Sequence, residues 1–209
     1  MARPRSDIME RIVHAARERF LNEGVDGASL RRIARDAKTN IGMVYYYFQT
    51  KDDLFLAVVE EVYAALLADL EHALLPDAST EERIRRLYVR MSEIDQAEFK
   101  VLRLVVREAL ISSARLERLL ERFLRGHIPL IVSTVSAGIA EGALRRDVHP
   151  ALLMMLVLAV GGPPQVIGTV ARERFGVTDL PGGGELASTL VKLLFQGIAA
   201  QDRGEIDAT

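Results

Sequence analysis

"SLRRIARDAKTNIGMVYYYFQTKDDL", residues 29–54, packs Tyr45, Tyr46, Tyr47 and Phe48 side by side between two stretches of good helix-capping residues. Those four make up a third of the 12 aromatic residues in the chain (7 Phe and 5 Tyr), and neither a helix nor a strand buries every one of four adjacent side chains. Ser29 suits the N-cap of a short helix that buries Leu30, Ile33, Ala34 and Ala37. Lys38 and Thr39 make a turn, and Asn40 caps a further helix running through Phe48. Thr50 with Asp53 three residues later has the spacing of a capping box, Asp standing in for Glu, and opens a long helix to Leu75, just before Pro76. On a helical wheel Val44 and Phe48 share the buried face, Tyr46 points away from it, and Tyr45 and Tyr47 lie on the flanks.

Two short helices joined by a tight turn read as a helix-turn-helix, in which the second helix enters the major groove of DNA and the first crosses the backbone. A plain helical hairpin without a ligand explains the two helices equally well; the side chains separate the readings. The tyrosine hydroxyls, with Arg31, Arg32, Arg35, Lys38 and Lys51 near them, supply donors for phosphate oxygens. Charge agrees: residues 1–51 hold 10 Lys and Arg against 6 Asp and Glu, while residues 52–209 hold 17 against 23. A basic head on an acidic body points to a polyanion bound at one end.

The rest of the chain repeats the helical period, with no period-two strand and no internal repeat. The first helix starts at Asp7, carries Ile8, Ile12, Ala16 and Phe20 on one stripe, and stops at Gly24. Beyond the long helix, Ser79 and Glu82 start a helix to about Ile94. Others are expected over about 96–111, 115–143 (interrupted by Pro129), 150–175 (kinked at Gly161 to Pro164) and 185–200. The fold class is therefore all-α, about nine helices. A helix-turn-helix domain is expected over residues 1–51 and a larger helical domain over 52–209. The segment "ALLMMLVLAVGGPPQVIGTV", 151–170, is apolar for only about ten residues before its Gly-Gly-Pro-Pro, short of the roughly 20 that a bilayer needs, and reads as a buried, kinked helix.

Residues 27–63, "GASLRRIARDAKTNIGMVYYYFQTKDDLFLAVVEEVY", resemble the DNA-binding domain of the TetR (tetracycline repressor) family. The matching positions are Ser29, Leu30, Arg31, Ile33, Ala34, Ala37, Gly42, Val44, Tyr45, Tyr47, Phe48, Thr50, Lys51 and Leu54. The resemblance implies a repressor that a small-molecule effector releases from a palindromic, double-stranded DNA operator. It places Ser29 and Arg31 at the DNA, Asn40, Ile41, Gly42 and Met43 near base edges, and Tyr45, Tyr46, Tyr47 and Lys51 on phosphates. Gly42, lacking a Cβ, lets the backbone approach the duplex. Three departures stand out: Lys38 replaces the usual turn glycine and calls for a left-handed non-glycine residue, Met43 replaces a Thr or Ser, and Ile41 a polar residue. Base reading then leans on apolar contact with thymine methyls.

Past about residue 65 the resemblance is architectural: it implies a helical domain around a small-molecule cavity, dimerised through the last two long helices. Leu186, Leu190, Leu193, Leu194 and Gly197 give the final helix an apolar face fit for a homodimer, or for an internal core. Phe99, Arg103, Arg107, Phe123, His127, Met154 and Met155 are candidate pocket residues, since Met and Phe make adaptable walls and Arg or His orients a polar ligand. Arg107 stands beside Glu108, and the two serve equally as an ion pair elsewhere.

Enzyme chemistry is not indicated. His14, His72, His127 and His149 are scattered without metal-ligand spacing, there is no nucleophile elbow or P-loop, and without cysteine there is no thiol nucleophile or cysteine metal site. No metal and no cofactor is expected. The charged N-terminus lacks a signal-like apolar core, which with the missing cysteines suits the cytoplasm. The competing reading is a helical small-molecule or protein-binding module of the same ancestry, without a transcriptional role.

Overall fold

A computed structural model describes residues 5–196, with side-chain surroundings given at all but positions 5, 6, 166, 169 and 173. Among the described residues every regular element is a helix, as the periodicity predicts. In chain order they are α1 (Arg5–Gly27), α2 (Leu30–Asp36), α3 (Ile41–Tyr47), α4 (Lys51–Ala73), α5 (Thr80–Ser92) and α6 (Gln96–Ile111). There follow α7 (Ser113–Leu124), α8 (His127–Glu141), α9 (Pro150–Gly161), α10 (Pro163–Phe175) and α11 (Gly183–Gln196).

The described residues form eleven helices where nine are expected for the chain, because two long spans are divided. The expected 115–143 helix breaks at Arg125 and Gly126, where tight bonds run from Arg125 N to Arg122 O (3.2 Å) and from Gly126 N to Phe123 O (3.0 Å). Pro129 therefore sits in the first turn of α8, where its missing N–H leaves nothing unsatisfied, and does not interrupt a helix. The 150–175 span bends where expected: Pro150 opens α9, and Gly162 separates Gly161 from Pro163 at the head of α10. That span is less buried than expected, because Leu152, Met155, Leu156 and Ile167 are exposed. Taken as one segment, Pro150–Arg172 has the length and hydropathy of a membrane span, and the bend at Gly162 divides it.

The helices form two compact units. One contains the residues up to His72 with Ile94–Leu130; the other contains Ala73–Glu93 and the residues from Ile131 onward. The sequence boundary at residue 51 closes the helix-turn-helix motif, but α4, α6 and α7 compact together with that motif. In the first unit Ile12, Ala16 and Phe20 of α1 meet Ile33 and Ala34 of α2, Val44 of α3 and Phe48. Leu54, Phe55, Val58 and Val59 of α4, Leu104 of α6 and Leu119 of α7 complete this core. Fully burying each large side chain here stabilises the fold by about 1.5–3 kcal/mol relative to leaving it in water.

In the second unit α5 packs against α9 and α11, presenting buried Ile84, Leu87 and Tyr88. The Tyr88 hydroxyl donates to Val157 O at 2.9 Å, and burial pushes its pKa up. Arg83, 4% exposed, donates from Nε and Nη2 to Leu74 O just past the C-terminus of α4, and from Nη2 to the Thr134 hydroxyl. Its charge is thereby set against the negative end of a helix. On α11 the inward residues are Ala187 and Val191; Leu186, Leu190 and Leu194 are half-buried, Leu193 is exposed, and Gly197 lies outside the described residues.

The α7–α8 break depends on a close approach. A Cβ at Gly126 lies 2.1 Å from the hydroxyl of buried Tyr63 and 3.0 Å from an Arg122 nitrogen. Overpacking of this kind costs about 1–3 kcal/mol. Gly126→Ala is expected to lower the urea midpoint accordingly, measured by far-UV circular dichroism, with the largest spectral change in tyrosine absorbance as Tyr63 is displaced.

Candidate DNA-binding interface

The recognition helix α3 is held from below and capped from the front. Val44 is fully buried and Phe48 nearly so, but Phe48 is not the last helical residue: its backbone is extended (φ −133°, ψ 108°), and the helix ends at Tyr47. Its N–H still donates to Val44 O at 2.9 Å, so the ring drops into the core as the chain leaves the helix. Tyr45 and Tyr46 are 55% and 64% exposed, while Tyr47 is partly buried against the core with its ring edge-on to Tyr46. The wheel thus places Tyr46 correctly and leaves Tyr47 as the inner flank.

At the N-terminus of α3 the Asn40 side-chain oxygen accepts the Met43 N–H at 3.0 Å. Only the amide NH₂ of Asn40 remains to donate to a base or phosphate. A Cβ on exposed Gly42 lies 3.1 Å from that same oxygen, so a glycine there protects the cap as well as clearing the helix surface. Ile41 and Met43 are partly exposed beside it.

The turn between α2 and α3 is a Schellman motif. Thr39 N donates to Ala34 O (2.9 Å) and Lys38 N to Arg35 O (3.0 Å), and Lys38 takes the left-handed conformation, φ 53°, that the missing glycine leaves to it. Arg11 of α1 donates to Ala37 O at 3.0 Å and braces the turn from behind.

Ser29, with Ala28, Leu30 and Arg31 at the start of α2, Ile41 and Tyr45 of α3, and Lys51 at the start of α4, lines an open groove of about 530 Å³. Ser29 stands at the N-cap position without a side-chain cap bond. The capping box read at Thr50 is present in both directions, Thr50 N to Asp53 Oδ2 at 2.8 Å and Asp53 N to Thr50 Oγ1 at 3.0 Å. Arg118 of α7 also donates to Asp53 at 2.6 Å, and this guanidinium, followed by the Thr50 hydroxyl, holds the Asp53 carboxyl below the ordinary aspartate value of 3.8. Lys51 reaches back with Nζ to Asp26 O at 2.9 Å.

Behind the groove lies a group of charges that sequence reading misses. Arg115, 5% exposed, donates to Asp26, to Asp52 (2.8 Å) and to the buried Glu108 (2.7 Å). Its partners lie 89, 63 and 7 residues away, so no local spacing announces them. Glu108 also accepts the Val25 N–H, and Arg107 bonds both Glu108 and Phe20 O (2.6 Å). Arg107 is thus engaged with the head and with the neighbour that its sequence position suggested.

Of the other pocket candidates, Phe123 and His127 come together around Tyr63, with ring centroids 5.3 and 5.8 Å from it. Tyr63 Oη accepts the His127 backbone N–H (3.1 Å) and is also hydrogen-bonded to Nδ1 of the same residue (2.8 Å). Phe99 is half-buried and Arg103 exposed on α6; Met154 is half-buried and Met155 exposed on α9, in the second unit.

A head of this geometry, with a braced turn, a short capped helix and two tyrosines turned outward, is a helix-turn-helix. Residues 12–58 match the family described as bacterial regulatory proteins, tetR family. The match spans the helix-turn-helix head and the start of α4, and it is similarity to that family's DNA-binding domain. The chain is 28% identical over 141 residues to the HTH-type transcriptional repressor NicS of Pseudomonas putida, covering 66% of each chain, just under two thirds of that relative's length. Among solved structures, the transcriptional regulator FadR of Bacillus subtilis, in complex with stearoyl-CoA, superimposes with a TM-score of 0.73 at 19% identity, over 91% of this chain and 99% of that one. AibR, solved with isovaleryl coenzyme A and operator DNA, gives 0.65 at 16%, over 90% and 98%. At these identities the two structures share the fold.

Two outcomes follow from the geometry. Lys38→Gly removes a left-handed non-glycine residue and is expected to raise stability by about 1 kcal/mol, read as a higher thermal midpoint. Burial, then the charge of Arg122, lowers the His127 pKa below its ordinary 6.5, so stability from the neutral ring is present above pH 6.5 and is lost as pH falls below it. An NMR titration is expected to show His127 ionising below 6.5.

Proposed function

We propose that the protein is a ligand-responsive, sequence-specific DNA-binding transcriptional regulator, a homodimeric repressor that a small molecule releases from a palindromic operator. The observation that carries the reading is the outer face of the head, where Tyr45 and Tyr46 of α3 stand in solvent and Tyr45 lines a groove with Arg31, Ile41 and Lys51. In this reading Tyr45, Tyr46, Tyr47, Ser29 and Lys51 hold phosphates and fix register, Arg31 reaches a phosphate or base, and Asn40, Ile41, Gly42 and Met43 approach base edges. Two heads enter successive major grooves, with half-sites about 34 Å apart. The DNA-binding domain in this sense is residues 1–51, the remainder serving ligand and dimer, and the place of action is the cytoplasm.

The exposed Leu152, Met155 and Leu156 of α9, Ile167 of α10 and Leu193 of α11 support a dimer surface in the second unit, flanked by Leu186, Leu190 and Leu194. Apolar area of this kind is typical of faces that a partner covers. A ligand that prefers a conformation with wrongly spaced heads weakens DNA binding, and DNA weakens the ligand by the same factor. Phe99, Arg103, Arg107, Phe123, His127, Met154 and Met155 remain the pocket residues to mutate first. Acyl coenzyme A thioesters, present in two structural neighbours, are the first effector class to screen by thermal shift.

The test is fluorescence anisotropy on DNA from upstream of the coding sequence against random DNA, at several salt concentrations. Sequence preference and affinity that falls steeply with salt are expected; the absence of both favours a binding module without transcriptional role. Tyr46→Ala should weaken binding to all sequences alike, by about 1 kcal/mol, whereas Met43→Ala should change the preference among them.

A further inference from the structure

We infer that Arg115, too buried to meet DNA, is a positioning residue for DNA reading: it fixes the distance between the two walls of the groove at the start of α2 and α4. The inference rests on the DNA-binding reading above. One wall is the segment after α1 that carries Ser29 and Arg31; the other is the first turn of α4, which carries Lys51. Asp26 precedes the first wall and Asp52 belongs to the second, and Arg115 donates to both carboxylates. Its third acceptor, Glu108 on α6, is 2% exposed and cannot move away without stranding a charge. Lys51 closes the loop by donating to Asp26 O at 2.9 Å.

Only an arginine does this. Its planar fork sends Nε to Asp52, Nη2 to Asp26 and Nη1 to Asp26 and Glu108, whereas a lysine ammonium is a point charge on a single stem. Asp26 is 70% exposed at its side chain, and as an isolated surface pair it would hold nothing firmly. Anchored to a guanidinium that α6 and α7 immobilise, it sets where the segment leading into α2 begins. Arg115 also neutralises two carboxylates close to where phosphates bind, so positioning and charge have to be separated experimentally.

Arg115→Lys separates them, because net charge is unchanged. The wild type first selects a site from a random DNA library; anisotropy then compares that site with a scrambled duplex of equal length. Arg115→Lys should bind the selected site about tenfold more weakly, with the scrambled duplex and the salt slope unaltered, since no phosphate contact is lost. Asp26→Asn with Asp52→Asn keeps the buried Arg115–Glu108 pair. It should tighten the scrambled duplex by removing repulsion while failing to tighten the selected site, so the specificity ratio falls. Equal factors on both duplexes, or no change, with circular dichroism showing a folded protein, overturn the inference. If Arg115→Lys does not fold, the double variant decides alone. If the wild type selects no sequence, it is the DNA-binding reading that has failed.

Discussion

Glu108 and Arg115 are taken almost wholly out of water, at 2% and 5% exposure, and a buried charge left unpaired costs several kcal/mol. That penalty makes their pairing obligatory, and the pairing propagates. Glu108 accepts the Val25 N–H in the last turns of α1, just beyond the break at Gly24. Arg115 reaches Asp26 and Asp52, so the end of α1, the start of α4 and the α6–α7 corner share one electrostatic knot. Farther along the same helices Arg118 meets Asp53 and Arg122 meets Glu60 in a bidentate pair, which gives α7 three arginine bridges to α4. This explains why the helix-turn-helix does not compact alone but together with α4, α6 and α7.

Within the head the aromatic residues of α3 and its end divide by depth. Phe48 and Val44 enter the core, Tyr47 covers its edge, and Tyr45 and Tyr46 stand in solvent. Burying the phenyl end of such a row fixes the axial rotation of α3, which in turn decides which side of the helix faces solvent. The N-terminus of α3 is fixed separately by the Asn40 cap, so rotation and translation of a seven-residue helix are controlled by different residues.

The second unit is organised around α5, whose Tyr88 ring leaves no room for a Cβ at Gly161 and whose hydroxyl bonds Val157 O. The bend after α9 thus follows from packing as well as from Gly162 and the prolines. The outer faces of α9 and α10 keep their apolar side chains in solvent, which is the physical motive for a second copy.

The head was legible in the sequence because its signals are local. Caps at Asn40 and Thr50 and the need for a left-handed Lys38 act over three to five residues, and each is present in the structure; Gly24 breaks α1, which resumes to Gly27. Helix boundaries set by distant side chains were not legible. The break at Gly126 answers to Tyr63, far away in sequence, whereas the local signal for an interruption is Pro129. The leucines of α11 were indistinguishable from a core face until α5 selected Ala187 and Val191 instead. Arg115 is one of 27 lysines and arginines in the chain and one of three arginines in α7, and nothing nearby marks it. Sequence by itself determined an all-helical protein with a TetR-like helix-turn-helix head and the ends of its short helices. Only tertiary structure decided which charge ties that head's supports together, because the Coulomb and desolvation terms that single out Arg115 arise between groups that the chain brings together only on folding.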